Sequence, residues 1–129
     1  MREAKLYEKL SDKRVRCNLC SHRCVIADGR SGICRVRENR DGILYTLAYG
    51  RTVVQQIDPV EKKPLFHFYP GASAYSVATA ACNFRCRWCQ NWEISQMPRE
   101  QQLNEGREAT PGQIVESAQE ENCRMIAYT

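Results

Sequence analysis

No stretch of this 129-residue chain is apolar over the length that a membrane-spanning helix requires. The first ten residues mix charged side chains with single apolar ones and contain no apolar signal core. The sequence therefore predicts a cytoplasmic protein without a membrane partner. Hydrophobic residues make up 43% of the chain and charged residues 26%, a balance that is ordinary for a folded domain and excludes wholesale disorder.

The chain has eight cysteines, which is a lower density than disulfide-stapled mini-domains carry. In a reducing cytoplasm, thiols are more often metal ligands than disulfide partners. We therefore interpret the cysteines as candidate metal ligands. Seven of them fall into two groups, within residues 17–34 and 82–89. The eighth, Cys123, is interpreted as a small buried apolar residue.

Cys82, Cys86 and Cys89 form a C-x3-C-x2-C triplet, and no fourth cysteine follows within the next thirty residues. Thiolates prefer zinc and iron–sulfur clusters to hard cations. A closed zinc site takes four protein ligands, whereas a reactive site keeps one coordination position open for a cofactor or substrate. The triplet therefore favours a [4Fe-4S] cluster with one open iron. The alternatives are a zinc site that borrows a ligand from elsewhere and a set of buried thiols.

The first cysteine group in chain order has the spacing C-x2-C-x3-C-x9-C in a segment with glycine turns, and its members are Cys17, Cys20, Cys24 and Cys34. Four sulfur ligands suit a closed tetrahedral zinc site, although they would also hold a second iron–sulfur cluster. Zinc is favoured, and its binding would help to fold a segment with little apolar content. His22 could replace one cysteine, but a histidine beside a metal loop is more often a surface or supporting residue. Four free thiols are the remaining alternative.

The net charge of +4 is unevenly distributed along the chain. Residues 1–40 hold eleven Lys or Arg against five Asp or Glu, whereas residues 41–129 hold eight against ten. A basic, cysteine-rich first region is compatible with nucleic-acid contact. Metal-bound thiolates would cancel part of this charge, and no aromatic residues are interleaved with it. A solvated surface is favoured, so nucleic acid is not expected as a partner.

The pattern of apolar residues predicts an amphipathic helix over residues 4–14 and a β-hairpin over residues 43–57. Asp58-Pro59 would end this hairpin. With the first cysteine group, these elements define a predicted N-terminal region, residues 1–71. It combines a cysteine-rich metal module with a hairpin cap.

Residues 72–129 carry a strand–loop–helix–strand pattern. Ala74–Thr79 is a strand candidate that leads directly into the cysteine triplet, and residues 96–108 form a polar connection. Thr110, Pro111 and Gln113 predict a helix start with a capping box. A second strand is predicted over residues 123–129. The four pieces together form one right-handed βαβ unit.

The triplet, with Trp88 directly before its last cysteine, resembles the signature of the radical S-adenosylmethionine (radical SAM) superfamily. This resemblance implies that Cys82, Cys86 and Cys89 hold a [4Fe-4S] cluster whose open iron binds SAM. Reductive cleavage of SAM would then yield methionine and a 5'-deoxyadenosyl radical. The resemblance also implies that Trp88 lies near the adenine and that Asn91 is a candidate cofactor-binding residue, whereas the alternative interpretation of Trp92 is a core residue.

Three further segments are similar to the radical SAM protein of the AmmeMemoRadiSam system, a group related to pyruvate formate-lyase activating enzymes. They are Glu61-Lys62-Lys63-Pro64-Leu65, the aromatic run that ends in Tyr69-Pro70-Gly71, and Gln90-Asn91-Trp92-Glu93-Ile94-Ser95-Gln96. With the N-terminal cysteine group, the similarity extends over residues 17–129. We assign no catalytic role to Lys62, Lys63 or His67, for which solvated or structural roles are the default.

The resemblance implies an oxidoreductase that takes electrons from a donor such as a flavodoxin or ferredoxin and acts on a protein or a small molecule. It also implies an α/β fold: the start of a partial radical SAM (β/α) barrel after the N-terminal region. A whole barrel takes about 250 residues, whereas residues 72–129 number only 58. We therefore expect an N-terminal fragment that is inactive alone.

Two other functions fit the cysteine spacing. One is a non-catalytic adaptor with two zinc sites and a nucleic-acid contact through the basic first region. The other is a ferredoxin-like electron carrier with two clusters, in which Cys123 is the available fourth ligand for the triplet. Iron and acid-labile sulfide distinguish a cluster from zinc, and salt-dependent nucleic-acid binding is expected of the adaptor.

Overall fold

The computed structural model describes residues 1–97 and 106–129. The chain divides into two compact units. Of the described residues, unit one contains 1–49 and 80–97, and unit two contains 50–79 and 106–129. The sequence predicts a division into a cysteine-rich metal module, residues 1–71, and a βαβ unit, residues 72–129. This division stays a prediction.

Unit one contains two small antiparallel sheets, each with three strands. The first pairs β2 (Tyr7–Lys9) with β3 (Val15–Cys17) and β3 with β4 (Val25–Ile26). The second pairs β1 (Arg2–Glu3) with β6 (Ile43–Thr46) and β6 with β5 (Arg37–Arg40). Helix α1 (Trp92–Ser95) also belongs to this unit.

The core of unit one depends on the two-residue alternation of its strands. In β3, Val15 and Cys17 are buried and the residue between them is not, because successive side chains point to opposite faces. They pack with Ala4, Ile26 and Leu44.

Asn39 is fully buried in unit one and joins three backbone segments. Its amide nitrogen donates to the Lys13 carbonyl (2.7 Å) and the Ile26 carbonyl (2.9 Å), and its oxygen accepts from Gly42 N (3.0 Å). A buried amide is tolerated because its polar atoms have partners.

Unit two is built on a mixed sheet with the strand order β11-β9-β8. The strand β8 (Val54–Pro59) pairs antiparallel with β9 (Ser73–Ala78), and β11 (Met125–Tyr128) pairs parallel with the other edge of β9. A 3-10 turn, Val60–Lys62, follows β8. Two short strands, β7 (Arg51–Thr52) and β10 (Arg107–Glu108), form a separate antiparallel pair.

Helix α2 (Pro111–Glu120) precedes β11 and packs on the sheet of unit two. The predicted capping box is confirmed: Gln113 N donates to Thr110 Oγ1 (3.2 Å), and Thr110 N donates to Gln113 Oε1 (2.9 Å). Pro111 occupies the first turn, where its missing N–H costs no hydrogen bond. Ile114 and Ala118 bury the inner face of the helix against Tyr75 and Val77.

The predicted fold class, an α/β start of a partial barrel, is wrong. The described residues form mainly small antiparallel sheets with two α-helices, and no barrel is present among them. The strand–helix–strand connection from β9 through α2 to β11 is present. However, the second edge of β9 pairs antiparallel with β8, which makes this sheet mixed.

Two local predictions for the N-terminal part are also wrong. Residues 4–14 form no helix, because Leu6, Asp12 and Lys13 have positive φ angles (58°, 57° and 56°), which interrupt a right-handed helix. Residues 43–57 form no hairpin, because β6 pairs with β1 and β5 whereas β8 pairs with β9.

The predicted polar connection over 96–108 lies mostly outside the described residues. Neither helix in the described ranges has the length and apolar character needed to cross a bilayer.

Candidate metal centre

The cysteine triplet lies in a loop of unit one that is closed by hydrogen bonds between its two ends. Ala81 N donates to the Ile94 carbonyl (2.8 Å), and Gln96 Nε2 donates to the Phe84 carbonyl (3.0 Å). Helix α1 thus folds back toward the start of the triplet. The geometry of the loop depends on backbone hydrogen bonds and on the side chain of Gln96, for which the sequence analysis predicted no role.

Polar groups contact two of the three sulfur atoms. Phe84 N donates to Cys82 Sγ at 3.4 Å, and Ser95 Oγ lies 3.5 Å from Cys89 Sγ. Cys82 and Cys89 are half-buried, whereas Cys86 is exposed. Groups of the loop itself therefore orient the thiols of Cys82 and Cys89, whereas the thiol of Cys86 is exposed to solvent.

The predicted cofactor-binding residues lie beside the triplet on the surface of unit one. Trp88 is 87% exposed, and Trp92 is 62% exposed, so neither is a core residue. Asn91 is at the N-cap position of α1, where its side chain makes no capping hydrogen bond. Exposed aromatic rings and a free amide next to three thiols are available to a ligand, and a cofactor role for Trp88 and Asn91 stays a prediction.

The first cysteine group is also in unit one. Cys17 N donates to the Cys24 carbonyl (2.9 Å), which holds these residues side by side, and both pack with the apolar core. Arg23 N donates to the Cys20 carbonyl (3.1 Å), which closes the intervening turn. Three members of the group therefore share one short turn region.

Cys34 approaches the same region from the following turn. The pKa of its thiol is raised, chiefly by burial and to a smaller extent by the neighbouring Cys17 and Cys24. Backbone N–H groups of Val36 and Arg37 act in the opposite direction by donating to Cys34. Such N–H groups are suited to stabilise a thiolate.

Within residues 1–97 and 106–129, no three Cys, His, Asp or Glu side chains are arranged ready to hold a metal ion. Binding at either cysteine group therefore requires the thiols to converge on the metal. The donor chemistry fits: thiols on short turns, some already hydrogen-bonded, suit zinc or an iron–sulfur cluster.

Arg37 is a residue that sequence reasoning missed. It is only 7% exposed, and its Nη1 donates to Cys17 Sγ (3.1 Å) while Nη2 donates to the Lys5 carbonyl (2.8 Å). In the described part of the chain, no carboxylate lies within ion-pair distance of it. A buried guanidinium is always charged and is costly without an anion. A metal-bound Cys17 thiolate would supply that negative charge.

Replacing Arg37 by Met is expected to weaken zinc binding about ten-fold, because groups that support metal ligands typically have effects of this size. Competition with a chromophoric chelator measures the affinity. Arg30→Met is the matched control, since Arg30 is exposed. Equal zinc affinity in both variants would show that Arg37 does not support the site.

No protein-family model matches the chain, and no solved structure matches it. An uncharacterized protein of Methanocaldococcus jannaschii is 52% identical over all 129 residues, and the chain spans 38% of that protein's length. A second uncharacterized protein of this organism is 29% identical over 82 residues, which are 63% of the chain and 19% of that protein. The chain is thus similar to parts of longer proteins whose names state no function.

Proposed function

We propose that this chain carries the cluster-binding loop of a radical SAM oxidoreductase, with Cys82, Cys86 and Cys89 as the ligands of a [4Fe-4S] cluster. The observation that carries the proposal is the triplet itself: three thiols with spacings of four and three residues on one closed loop, with the middle thiol exposed. Three ligands leave one cluster iron free for SAM. The proposal rests on this loop and not on a barrel.

A cluster bound there would supply an electron for the reductive cleavage of SAM to methionine and a 5'-deoxyadenosyl radical, and this radical would remove hydrogen from a substrate. The residues of the chain hold and orient the ligands. Phe84 N–H donates to Cys82 Sγ, and the Ser95 hydroxyl contacts Cys89 Sγ. The exposed Trp88 ring is available to stack on the adenine, and the Asn91 amide is available for a hydrogen bond to SAM.

The partners belong to the same proposal. A flavodoxin or ferredoxin would deliver the electron, and the substrate would be a protein or a small molecule. Cys17, Cys20, Cys24 and Cys34 would hold a structural zinc, supported by Arg37.

The proposed activity is that of a longer protein that contains this chain, because the chain spans 38% of the length of the relative to which it is 52% identical. The 129 residues alone are expected to assemble the cluster without sustained turnover. Trp88 is 87% exposed and Cys86 is exposed, so the loop by itself does not exclude water from bound SAM.

The test is the metal and sulfide content of the chain purified without oxygen. We expect about four irons, about four sulfides and about one zinc per chain, together with visible absorption. Reduction in the presence of SAM should yield at most a single-turnover amount of 5'-deoxyadenosine. Two zincs without sulfide would contradict the proposal and support the zinc-binding adaptor, for which salt-dependent nucleic-acid binding is the next measurement.

A further inference from the structure

His22 connects the two cysteine groups of unit one. It lies in the turn between Cys20 and Cys24, and its Nε2 is 2.8 Å from the carbonyl oxygen of Asn83, sixty-one residues further along the chain. A carbonyl oxygen accepts only, so this contact requires the hydrogen on Nε2. The imidazole and Phe84 rings also form a T-shaped contact, with 6.5 Å between their centroids.

The peptide group that His22 contacts is the one that donates to Cys82. The Asn83 carbonyl and the Phe84 N–H belong to the same planar peptide unit. His22 donates to the oxygen of this peptide unit, and the Phe84 N–H of the same unit donates to Cys82 Sγ at 3.4 Å. Because the unit is rigid, fixing its oxygen also fixes the direction of its N–H. A rotation that breaks the first hydrogen bond therefore disturbs the second.

We propose that His22 is a positioning residue for the cluster-binding loop: it orients the Asn83–Phe84 peptide so that its N–H points at the Cys82 ligand. This inference rests on the proposed function for its effect on the cluster, although the contact itself does not. Hydrogen bonds to sulfur ligands stabilise the more negative, reduced form of a cluster. The N-terminal cysteine group thereby influences the potential of a cluster held by the triplet.

Two variants separate the effect of the His22 hydrogen-bond donor from the effect of its ring packing. His22→Gln keeps an N–H donor near the position of Nε2, and His22→Phe keeps an aromatic edge toward Phe84 but cannot donate. His67→Ala is the control, because His67 is the other histidine and is exposed in unit two.

The first readout is amide hydrogen exchange at Phe84 in the metal-free chain, followed by NMR. Losing one such hydrogen bond is expected to accelerate exchange about five-fold in His22→Phe. His22→Gln and His67→Ala should exchange at close to the wild-type rate. Equal rates in all four proteins would overturn the proposal.

The second readout is the reduction potential of the reconstituted cluster. We expect a more negative potential in His22→Phe and recovery toward the wild-type value in His22→Gln, which a loss of ring packing alone would not produce. Unchanged potentials would overturn the effect on the cluster. Loss of zinc from His22→Gln would instead identify His22 as a metal ligand and overturn its positioning role.

The two proposals fail in different ways. If the wild-type chain assembles no iron and sulfide, the proposed function fails, while exchange at Phe84 in the metal-free chain still decides whether His22 orients the peptide. If the cluster assembles and exchange at Phe84 is identical in His22→Phe and wild type, only the role of His22 fails.

Discussion

A chain in which Cys82, Cys86 and Cys89 are all replaced by alanine is expected to purify without iron or sulfide and to retain about one zinc. Removing every thiol of the triplet leaves no ligand for a cluster in that loop. The zinc should remain because the first cysteine group is untouched. Iron, sulfide and zinc analysis of anaerobically purified protein measures this result.

The triple variant should still fold. The hydrogen bonds that close the loop, from Ala81 N to the Ile94 carbonyl and from Gln96 to the Phe84 carbonyl, involve no thiol. None of the three cysteines is buried, so truncation at these exposed or half-buried positions leaves little cavity. Loss of iron with an unchanged circular dichroism spectrum would therefore reflect the missing ligands.

Cys123→Ala is the matched control, because it removes one thiol from unit two, where Cys123 packs beside the core. Under the radical SAM proposal its iron and sulfide content is unchanged. A ferredoxin-like carrier would use Cys123 as a fourth ligand, so loss of iron in this variant would support that alternative. Iron retained in the triple variant would contradict a cluster held by the triplet.

The parts of the fold that could be predicted from the sequence are those with local causes. The capping box at Thr110 and Gln113 needs only residues three apart, and the strand Ser73–Ala78 combines small residues with the strand formers Tyr75 and Val77. The barrel was predicted from the family resemblance, and this prediction is wrong because strand partners are chosen over long distances in the chain. No local pattern shows that β8 pairs with the free edge of β9.

The N-terminal errors have a similar cause. Leu6, Tyr7 and Leu10 have helical spacing, but the hydrogen bonds of this segment go to β3 and to the Arg14 carbonyl. The positive φ angles at Asp12 and Lys13 permit that turn, and neither residue type requires it. The spacing of short apolar runs does not distinguish these outcomes.

The candidate site likewise has features that could be predicted from the sequence and features that could not. The cysteine spacings are visible in the sequence because both groups are compact. The contacts that support them are not, since Arg37 is twenty residues from Cys17 and His22 is sixty-one residues from Asn83. Each pair meets only because the turns of unit one bring distant segments together.

Asp58 provides the largest expected effect on stability. The residue is 5% exposed, and its carboxylate accepts from Lys62 Nζ (2.7 Å), Ser76 Oγ (2.6 Å) and Lys63 Nζ (3.0 Å), with Gln56 Nε2 at 3.1 Å. Lys62 and Lys63, to which the sequence analysis assigned no catalytic role, therefore have a structural role. These contacts connect the end of β8 to β9 and to the turn that follows β8.

Asp58→Asn is expected to destabilise unit two by about 2 kcal/mol, because Ser76, Lys62 and the partly buried Lys63 lose a charged acceptor. Asp41→Asn is the matched control: Asp41 pairs with Lys13 at 2.8 Å, but both side chains are well exposed, and little change is expected. Both tryptophans lie in unit one. Unfolding of unit two in urea is therefore better followed through the amide signals of β9.

The pH dependence distinguishes the charge of Asp58 from its shape. The hydrogen bonds from Lys62, and next from Ser76, hold the pKa of the Asp58 carboxyl well below its usual 3.8 in the folded protein. A depressed folded-state pKa stabilises the fold above the unfolded value, and this contribution is lost as the pH falls below 3.8 toward the folded value. The stability difference between wild type and Asp58→Asn should therefore be full at neutral pH and shrink as the pH falls below about 4. A difference that stays constant down to pH about 2 would mean that packing, and not the ion pairs, is what Asp58 contributes.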